Sequence, residues 1–273
     1  TDSYLLSKCV EQNTDYIAIF EDDTIAMDGW YHRTIAAIRD AEQLSALQHA
    51  KSGFLYLRLF YTEEFLGWNS ENWATYLTYS ICLAVASTVI VFFLRTTWPV
   101  KKIAAVLGTW RAVAAAYSFL AALIVLYFAL GRITVLPPPA GVHEMSQFGC
   151  CGQAFVFPRH KTLELISYFS ERQTGFMDAL TEEFADSRGE LRYALTPSVV
   201  QHVGRKSSKT NNNVAISKQK VWNFAFEQYD EQQLRKEHAV AAATTRDQEG
   251  VESFRLQPKK LNVAFQTTSS YFS

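Results

Sequence analysis

Two long uncharged stretches constrain this 273-residue chain more than any other feature. Between Glu71 and Arg95 runs NWATYLTYSICLAVASTVIVFFL, and between Arg111 and Arg132 runs AVAAAYSFLAALIVLYFALG, neither holding an Asp, Glu, Lys or Arg. Each offers about 20 such residues, and about 20 residues of helix cover the ~30 Å hydrocarbon layer of a bilayer. The alternative is a pair of buried core helices, but core helices of this length ordinarily keep a polar stripe. Trp73, Trp98, Trp110 and Tyr127 lie near the edges, where amphipathic rings favour the membrane interface. Cys82, inside the first stretch, reads as a packed thiol.

The connector 95–111 carries Arg95, Lys101, Lys102 and Arg111 and no acid, which places it on the cytoplasmic side. A hairpin returns the chain to the side it left, so residues 1–71 and 132–273 share the lumenal or extracellular side. Each flank is short for an independent domain. The expectation is therefore one domain built from both flanks, with the hairpin 72–131 inserted into it. A net charge of −1 argues against a nucleic-acid partner, whose phosphates call for a basic excess. Aromatic residues at 14% exclude a disordered chain. The mean hydropathy of −0.06 resembles an ordinary soluble protein only because the polar flanks average out the two spans. The chain opens on TDSYLLSKCVEQ, an amphipathic helical pattern without an initial Met, so an upstream part of the same polypeptide is expected to complete the domain.

Cys9, Cys150 and Cys151 fall on the non-cytoplasmic side, where disulfides persist. Adjacent cysteines rarely bridge each other, so Cys150 or Cys151 pairs elsewhere, or no pair forms. No C-x-x-C metal spacing occurs.

Helical periodicity covers Ser3–Asn13, Trp30–Lys51, His160–Glu171 and Gly175–Ala185. Apolar runs predict strands at Tyr16–Phe20, Phe54–Phe60 and Cys151–Phe157, with extended segments at Arg192–Thr196 and Val199–Val203. This alternation predicts an α/β class. From Ser207 the chain turns polar, and Ala239–Thr245 reads as low-complexity peripheral loop.

Three places carry chemistry. Glu21, Asp22 and Asp23 follow the apolar strand YIAIF directly, and ligands of open α/β sheets bind beyond strand C-terminal ends. Hard oxygen donors there suit Mg²⁺ or Mn²⁺ bridging to phosphates, although an acidic turn capping the next helix has the same composition. The segment PSVVQHVGRKSS delivers His202 and then a basic, hydroxyl-rich turn. His202 can complete a metal shell, and Lys206, Ser207 and Ser208 can hold phosphate oxygens. A partly buried histidine beside a loop reads equally well. Asp178, in TGFMDALTEEF, is either a charge at a helix start or a positioned base. Glu182 and Glu183, one turn later, read as a solvated face.

Together these residues resemble the glycosyltransferases of the GT-A fold, and within them the N-acetylglucosaminyltransferase IV branch. More closely, the order and wording are similar to the Golgi family that adds N-acetylgalactosamine after GPI attachment, known for a membrane hairpin inserted into the transferase domain. The resemblance covers residues 1–205. It implies a GT-A domain with a mixed sheet flanked by helices, multi-pass in the Golgi membrane with its catalytic part lumenal. It implies Asp23 as principal Mn²⁺ ligand (Mg²⁺ being the alternative), Asp22 near the ribose or metal, His202 close to the metal-diphosphate, Glu21 in the same acidic motif, and Asp178 as catalytic base. Its partners would be a UDP-sugar, best UDP-GalNAc, and a mannose of a GPI-anchored glycan, in an inverting transfer. The departure is at the front: such folds place nucleotide-binding strands before the acidic motif, so the uracil pocket is expected upstream. An N-glycan branching or other UDP-sugar transferase, and a non-catalytic membrane scaffold, remain alternatives. Transporters keep ionisable residues inside their spans, and charged ones are missing from both segments here.

Overall fold

The computed structural model describes residues 2–48, 52–61, 68–97, 110–136, 138–147, 152–203, 226, 229–251 and 260–266. Lys206, Ser207, Ser208, Cys150, Cys151 and most of the basic connector lie outside the described residues. The chain divides into two compact units, Thr1–Thr62 with Pro138–Ser273, and Glu63–Pro137.

The first unit begins with α1 (Asp2–Glu11), β1 (Tyr16–Glu21), β2 (Thr24–Ala26), α2 (Trp30–Leu47) and β3 (Tyr56–Arg58). The second holds α3 (Trp73–Thr97), α4 (Trp110–Leu130) and the single turn α5 (Arg132–Val135). The first unit then resumes with β4 (Gly141–Glu144), β5 (Ala154–Pro158), α6 (Arg159–Arg172), α7 (Met177–Arg188), β6 (Arg192–Thr196), β7 (Val200–His202), α8 (Glu231–Val251) and β8 (Leu261–Gln266).

Six strands form one mixed sheet in the order β4-β6-β3-β5-β1-β8. The β6–β3 and β1–β8 pairs are parallel and the others antiparallel. Side chains alternate across a strand, and β1 sends each set into a separate core. Ile17 and Ile19 meet Leu6 and Cys9 of α1, Leu165 and Phe169 of α6, and Phe184 of α7. Tyr16, Ala18 and Phe20 meet Ala37, Ile38 and Ala41 of α2 and Leu234 of α8. Burial on both faces explains why β1 reads as a continuous apolar run. Each fully buried isoleucine contributes about 1.5–3 kcal/mol. The α/β class expected from the alternation is therefore observed, as three layers with helices on both sides of the sheet.

The C-terminal part departs from the expectation of loops. Residues 239–245 belong to α8, because alanine has the strongest helix propensity. The helix is capped by Asp230, whose Oδ1 accepts from the Gln232 and Gln233 N–H groups at 2.9 and 3.3 Å. Strand β8 lies beside β1 in parallel, Tyr16 opposite Leu261 and Glu21 opposite Gln266.

In the second unit, the windows Ser70–Phe93 and Val113–Leu130 are long and apolar enough to cross a membrane, with mean hydropathies of 2.0 and 2.3. They are 0% and 6% buried, so neither is packed into a core by the described residues. Cys82 is exposed on α3 rather than packed, and so are Ile81 and Leu83 beside it, because no described element covers this part of the helix. Trp68 donates its indole N–H to the Phe128 carbonyl at 2.8 Å and packs against Tyr76 and Tyr127, with ring centroids 4.9 and 4.8 Å away. It joins the ends of the two helices.

Candidate functional site

The acidic motif sits where β1 leaves the main sheet. Glu21 is the last residue of β1, Asp22 and Asp23 make the turn, and Thr24 opens β2. Thr24 Oγ1 donates to the Glu21 carbonyl at 2.8 Å and tightens the turn. Strand β2 pairs antiparallel with β7, Thr24 opposite His202, and the Val203 N–H donates to the Asp23 carbonyl at 2.8 Å. That short ribbon delivers His202 to the motif, with Nε2 3.1 Å from Asp23 Oδ2.

Glu21, Asp23 and His202 each offer one ligand atom, all within 4.8 Å of one another, and the three could hold a metal ion. Asp22 is exposed on the turn and, among the described residues, is not one of the three. The hydrogen bond from His202 holds the Asp23 carboxyl below its ordinary range, against the opposing effect of burial. The same bond raises His202, again against burial, with the charges of Asp23 and Glu21 adding to it. Asp23 Oδ1 is buried and has no hydrogen-bond partner among the described residues. A buried carboxylate oxygen without a donor is costly, and a cation would satisfy it. Two carboxylates and an imidazole are a ligand set that a divalent cation takes, so the residues present fit such an ion.

Asp178 is the second residue of α7, and its Oδ1 accepts from the Ala179 N–H at 2.9 Å. It approaches the motif across Gly152. A Cβ at Gly152 would stand 3.3 Å from Glu21 Oε1 and 3.6 Å from Asp178 Cβ. The two acidic side chains thus converge over a residue that has no side chain to separate them. Gly152 is buried just before β5, and the carbonyl of its neighbour Gln153 accepts from the Glu21 N–H at 2.9 Å. Sequence reading missed this glycine, since nothing in GCCGQ marks it apart from a turn.

Glu182 corrects another expectation. It does not lie on a solvated face: its side chain is 14% exposed and bound on three sides. Oε1 accepts from Arg58 Nη2 at 2.7 Å and from Tyr56 Oη at 2.6 Å, and Oε2 accepts from Arg192 Nη1 at 2.9 Å. Arg58, on β3, is 1% exposed and lies 4.5 Å above the Phe155 ring. Burial works against its charge, while Tyr56 and Glu182 hold it protonated. The signal was visible in FLYLRLF, where a lone arginine interrupts an apolar strand and needs a buried partner. Glu183 does face solvent, paired with Arg172. Cys9 is a free, buried thiol in the core.

The family model described as GPI-N-acetylgalactosamine transferase PGAP4 matches residues 2–201, which include Glu21, Asp23, Gly152 and Asp178 and stop one residue short of His202. Comparisons with curated proteins and with solved structures return no match.

Proposed function

This chain belongs to the GPI-N-acetylgalactosamine transferase PGAP4 family, and from that premise we propose a metal-dependent, inverting transfer of GalNAc from UDP-GalNAc to a mannose of a GPI-anchored glycan. The family makes it a glycosyltransferase. Donor, metal and stereochemistry are our reading, carried by one observation: the cluster of Glu21, Asp23 and His202 meets Asp178 across Gly152.

Asp23, with Glu21 and His202, would hold the cation, whose charge neutralises the diphosphate of the leaving UDP. Asp178 takes the proton of the acceptor hydroxyl as that oxygen attacks the anomeric carbon. The new C–O bond forms on the face opposite the diphosphate, the bond from the anomeric carbon to the phosphate oxygen breaks, and its electron pair leaves with UDP. A single displacement inverts the configuration. Gly152, having no side chain, lets Asp178 and Glu21 approach each other. Lys206, Ser207 and Ser208 are proposed to contact the diphosphate, and Asp22 the ribose.

We place the first unit as a GT-A-type domain in the Golgi lumen and α3 and α4 as a membrane hairpin inserted into it. The exposed apolar surfaces of both helices support that placement. A lipid-anchored acceptor gives a reason to hold the catalytic unit at the membrane surface.

The test is a transfer assay on the membrane-embedded protein with a GPI-linked glycan and with an N-glycan, each offered UDP-GalNAc and UDP-GlcNAc. GalNAc transfer to the GPI glycan, lost with a chelator and restored by Mn²⁺, is expected. Preference for the N-glycan or for UDP-GlcNAc points to a branching enzyme, and no transfer to either acceptor points to a scaffold.

A further inference from the structure

Asp178 and Glu182 stand four residues apart on α7, so they share one face of the helix, one above the other. Asp178 lies beside Glu21 at Gly152, its Cβ 3.6 Å and Glu21 Oε1 3.3 Å from where a Gly152 Cβ would stand, and the Glu182 carboxylate is clamped by three donors from two strands, Tyr56 and Arg58 of β3 and Arg192 of β6. A second path joins the same two points. Arg58 lies on the Phe155 ring, and Phe155 Cε2 is 3.7 Å from where a Gly152 Cβ would stand. Asp178, Gly152, Phe155, Arg58 and Glu182 therefore form a closed circuit of packed groups that begins and ends on one helix.

From this circuit we infer that Glu182 is a positioning residue for Asp178. The clamp fixes the first turns of α7 against the sheet at one height and rotation, so that Asp178 stays beside Gly152 and the acidic motif. The inference rests on the reading of Asp178 as the base.

Apolar side chains of the same volume would attach the helix to the sheet at least as firmly, because two guanidinium groups lose hydration when buried. What the ions add is direction. A planar guanidinium donates along fixed lines, and a carboxylate gripped at both oxygens cannot rotate. Arg192 also binds Asp186 Oδ1 at 2.8 Å, one further turn along α7. The helix is thus held at two successive turns on the side that carries Asp178. Proton transfer from an acceptor hydroxyl is sensitive to displacements of this kind, and about 1 Å of misplacement costs on the order of 100-fold in rate.

The experiment compares Glu182→Gln, Glu182→Asp, Tyr56→Phe and Asp178→Asn in the full membrane-embedded protein. Thermal unfolding, donor KM and kcat against pH are read for each. Glu182→Gln keeps shape and loses charge, and kcat is expected to fall about 10- to 100-fold with donor KM within threefold. The acid limb of its kcat profile should shift, because the base sits in altered surroundings. Glu182→Asp, which keeps the charge, should recover part of that loss. Tyr56→Phe removes one hydroxyl and keeps the ring, so it folds even where Glu182→Gln does not, and kcat should fall severalfold at constant donor KM. Unchanged kcat in a folded Glu182→Gln or in Tyr56→Phe overturns the inference. So does a rise in donor KM as large as the fall in kcat, which would mean general loosening of the site. Asp178→Asn separates the two levels: full activity there overturns the base assignment itself, whereas its loss beside unaffected Glu182 variants overturns only the positioning role.

Discussion

Asp23 and His202 are 179 residues apart in the chain, yet Oδ2 and Nε2 meet at 3.1 Å. The contact exists because β2 leaves the main sheet to pair with β7, Thr24 opposite His202. Asp23 accepts one hydrogen bond through that oxygen and keeps its second oxygen buried without a donor. Asp23→Ala removes both. The variant is expected to lose Mn²⁺-dependent UDP binding in calorimetry and to reduce transfer about 100- to 1,000-fold, the scale on which a lost charge-stabilising contact is felt. His202→Ala should be milder, about 10- to 100-fold, because the Glu21 and Asp23 carboxylates remain to hold the cation. Equal metal-dependent binding by wild type and Asp23→Ala contradicts the assignment.

The same pair gives the metal-free protein a pH dependence. His202 is raised from its ordinary value of 6.5, so its stabilising contribution is fully present below pH 6.5 and is lost as pH climbs through the raised value. Asp23 is lowered from 3.8, so its contribution is present above pH 3.8 and is lost as pH falls through the lowered value. The pair therefore contributes most between those two ordinary values. The Tm gap between wild type and His202→Gln, measured with a chelator present, should be widest near pH 5 and close toward pH 9. A gap that grows from pH 5 to pH 9 has the wrong sign.

Gly152 makes a steric prediction. Alanine there would put a methyl group 3.3 Å from Glu21 Oε1 and 3.6 Å from Asp178 Cβ. Fitting it costs up to about 1–3 kcal/mol of stability: Glu21 Oε1 must give by a few tenths of an ångström, whereas Asp178 Cβ stays at ordinary contact distance. Turnover is expected to fall about 10- to 100-fold in a protein that still folds. A Gly152→Ala enzyme within threefold of wild type shows that the convergence of Glu21 and Asp178 does not matter for transfer.

How much of this was legible in the sequence differs from residue to residue. YIAIF followed by three acids announces a buried strand with carboxylates at its end, and the structure keeps both. The partnership of Glu21, rather than Asp22, with Asp23 and His202 was hidden, because it depends on which side of a two-residue turn each carboxylate faces. His202 is conspicuous after PSVVQ, but only the β2–β7 pairing identifies its partner. Glu182 looked solvated because its neighbours Glu183 and Asp186 are exposed, while the arginines that bury it come from β3 and β6. Composition alone reads the Ala-rich run 239–245 as loop, although Asp230 before it is a cap and Leu234 supplies a core contact. Long-range convergence leaves no local trace, whereas capping, propensity and a lone charge in an apolar strand do.

The membrane topology is tested by protease digestion of sealed Golgi vesicles. A tag beside Lys101 should be cut from outside, while a tag at the C terminus should stay protected until the vesicles are opened. The motive is the four basic residues of the connector and the exposed apolar faces of α3 and α4. Cleavage at the C terminus with protection at Lys101 inverts the orientation and moves the catalytic unit to the cytosol.

Asp178→Asn decides the chemistry. Asp178 is the second residue of α7, where a negative charge favours the helix N-terminus by about 0.3–1 kcal/mol. If that is its whole role, asparagine keeps the hydrogen bond from the Ala179 N–H and transfer is nearly unchanged. If Asp178 is the base, the variant folds, binds UDP and metal, and loses about 10²- to 10⁴-fold in kcat, because a carboxamide cannot take the proton. A kcat within about threefold of wild type removes Asp178 from the mechanism. The other acids of the same helix offer no ready substitute. Both Glu182 oxygens are occupied by Arg58, Tyr56 and Arg192, and Glu183 is exposed and paired with Arg172. Glu21 would then be the acid to test next, because its Oε1 stands 3.3 Å from where a Gly152 Cβ would be, beside Asp178. Glu21→Gln would have to reproduce the turnover loss while leaving metal-dependent UDP binding intact, which separates a base from a ligand.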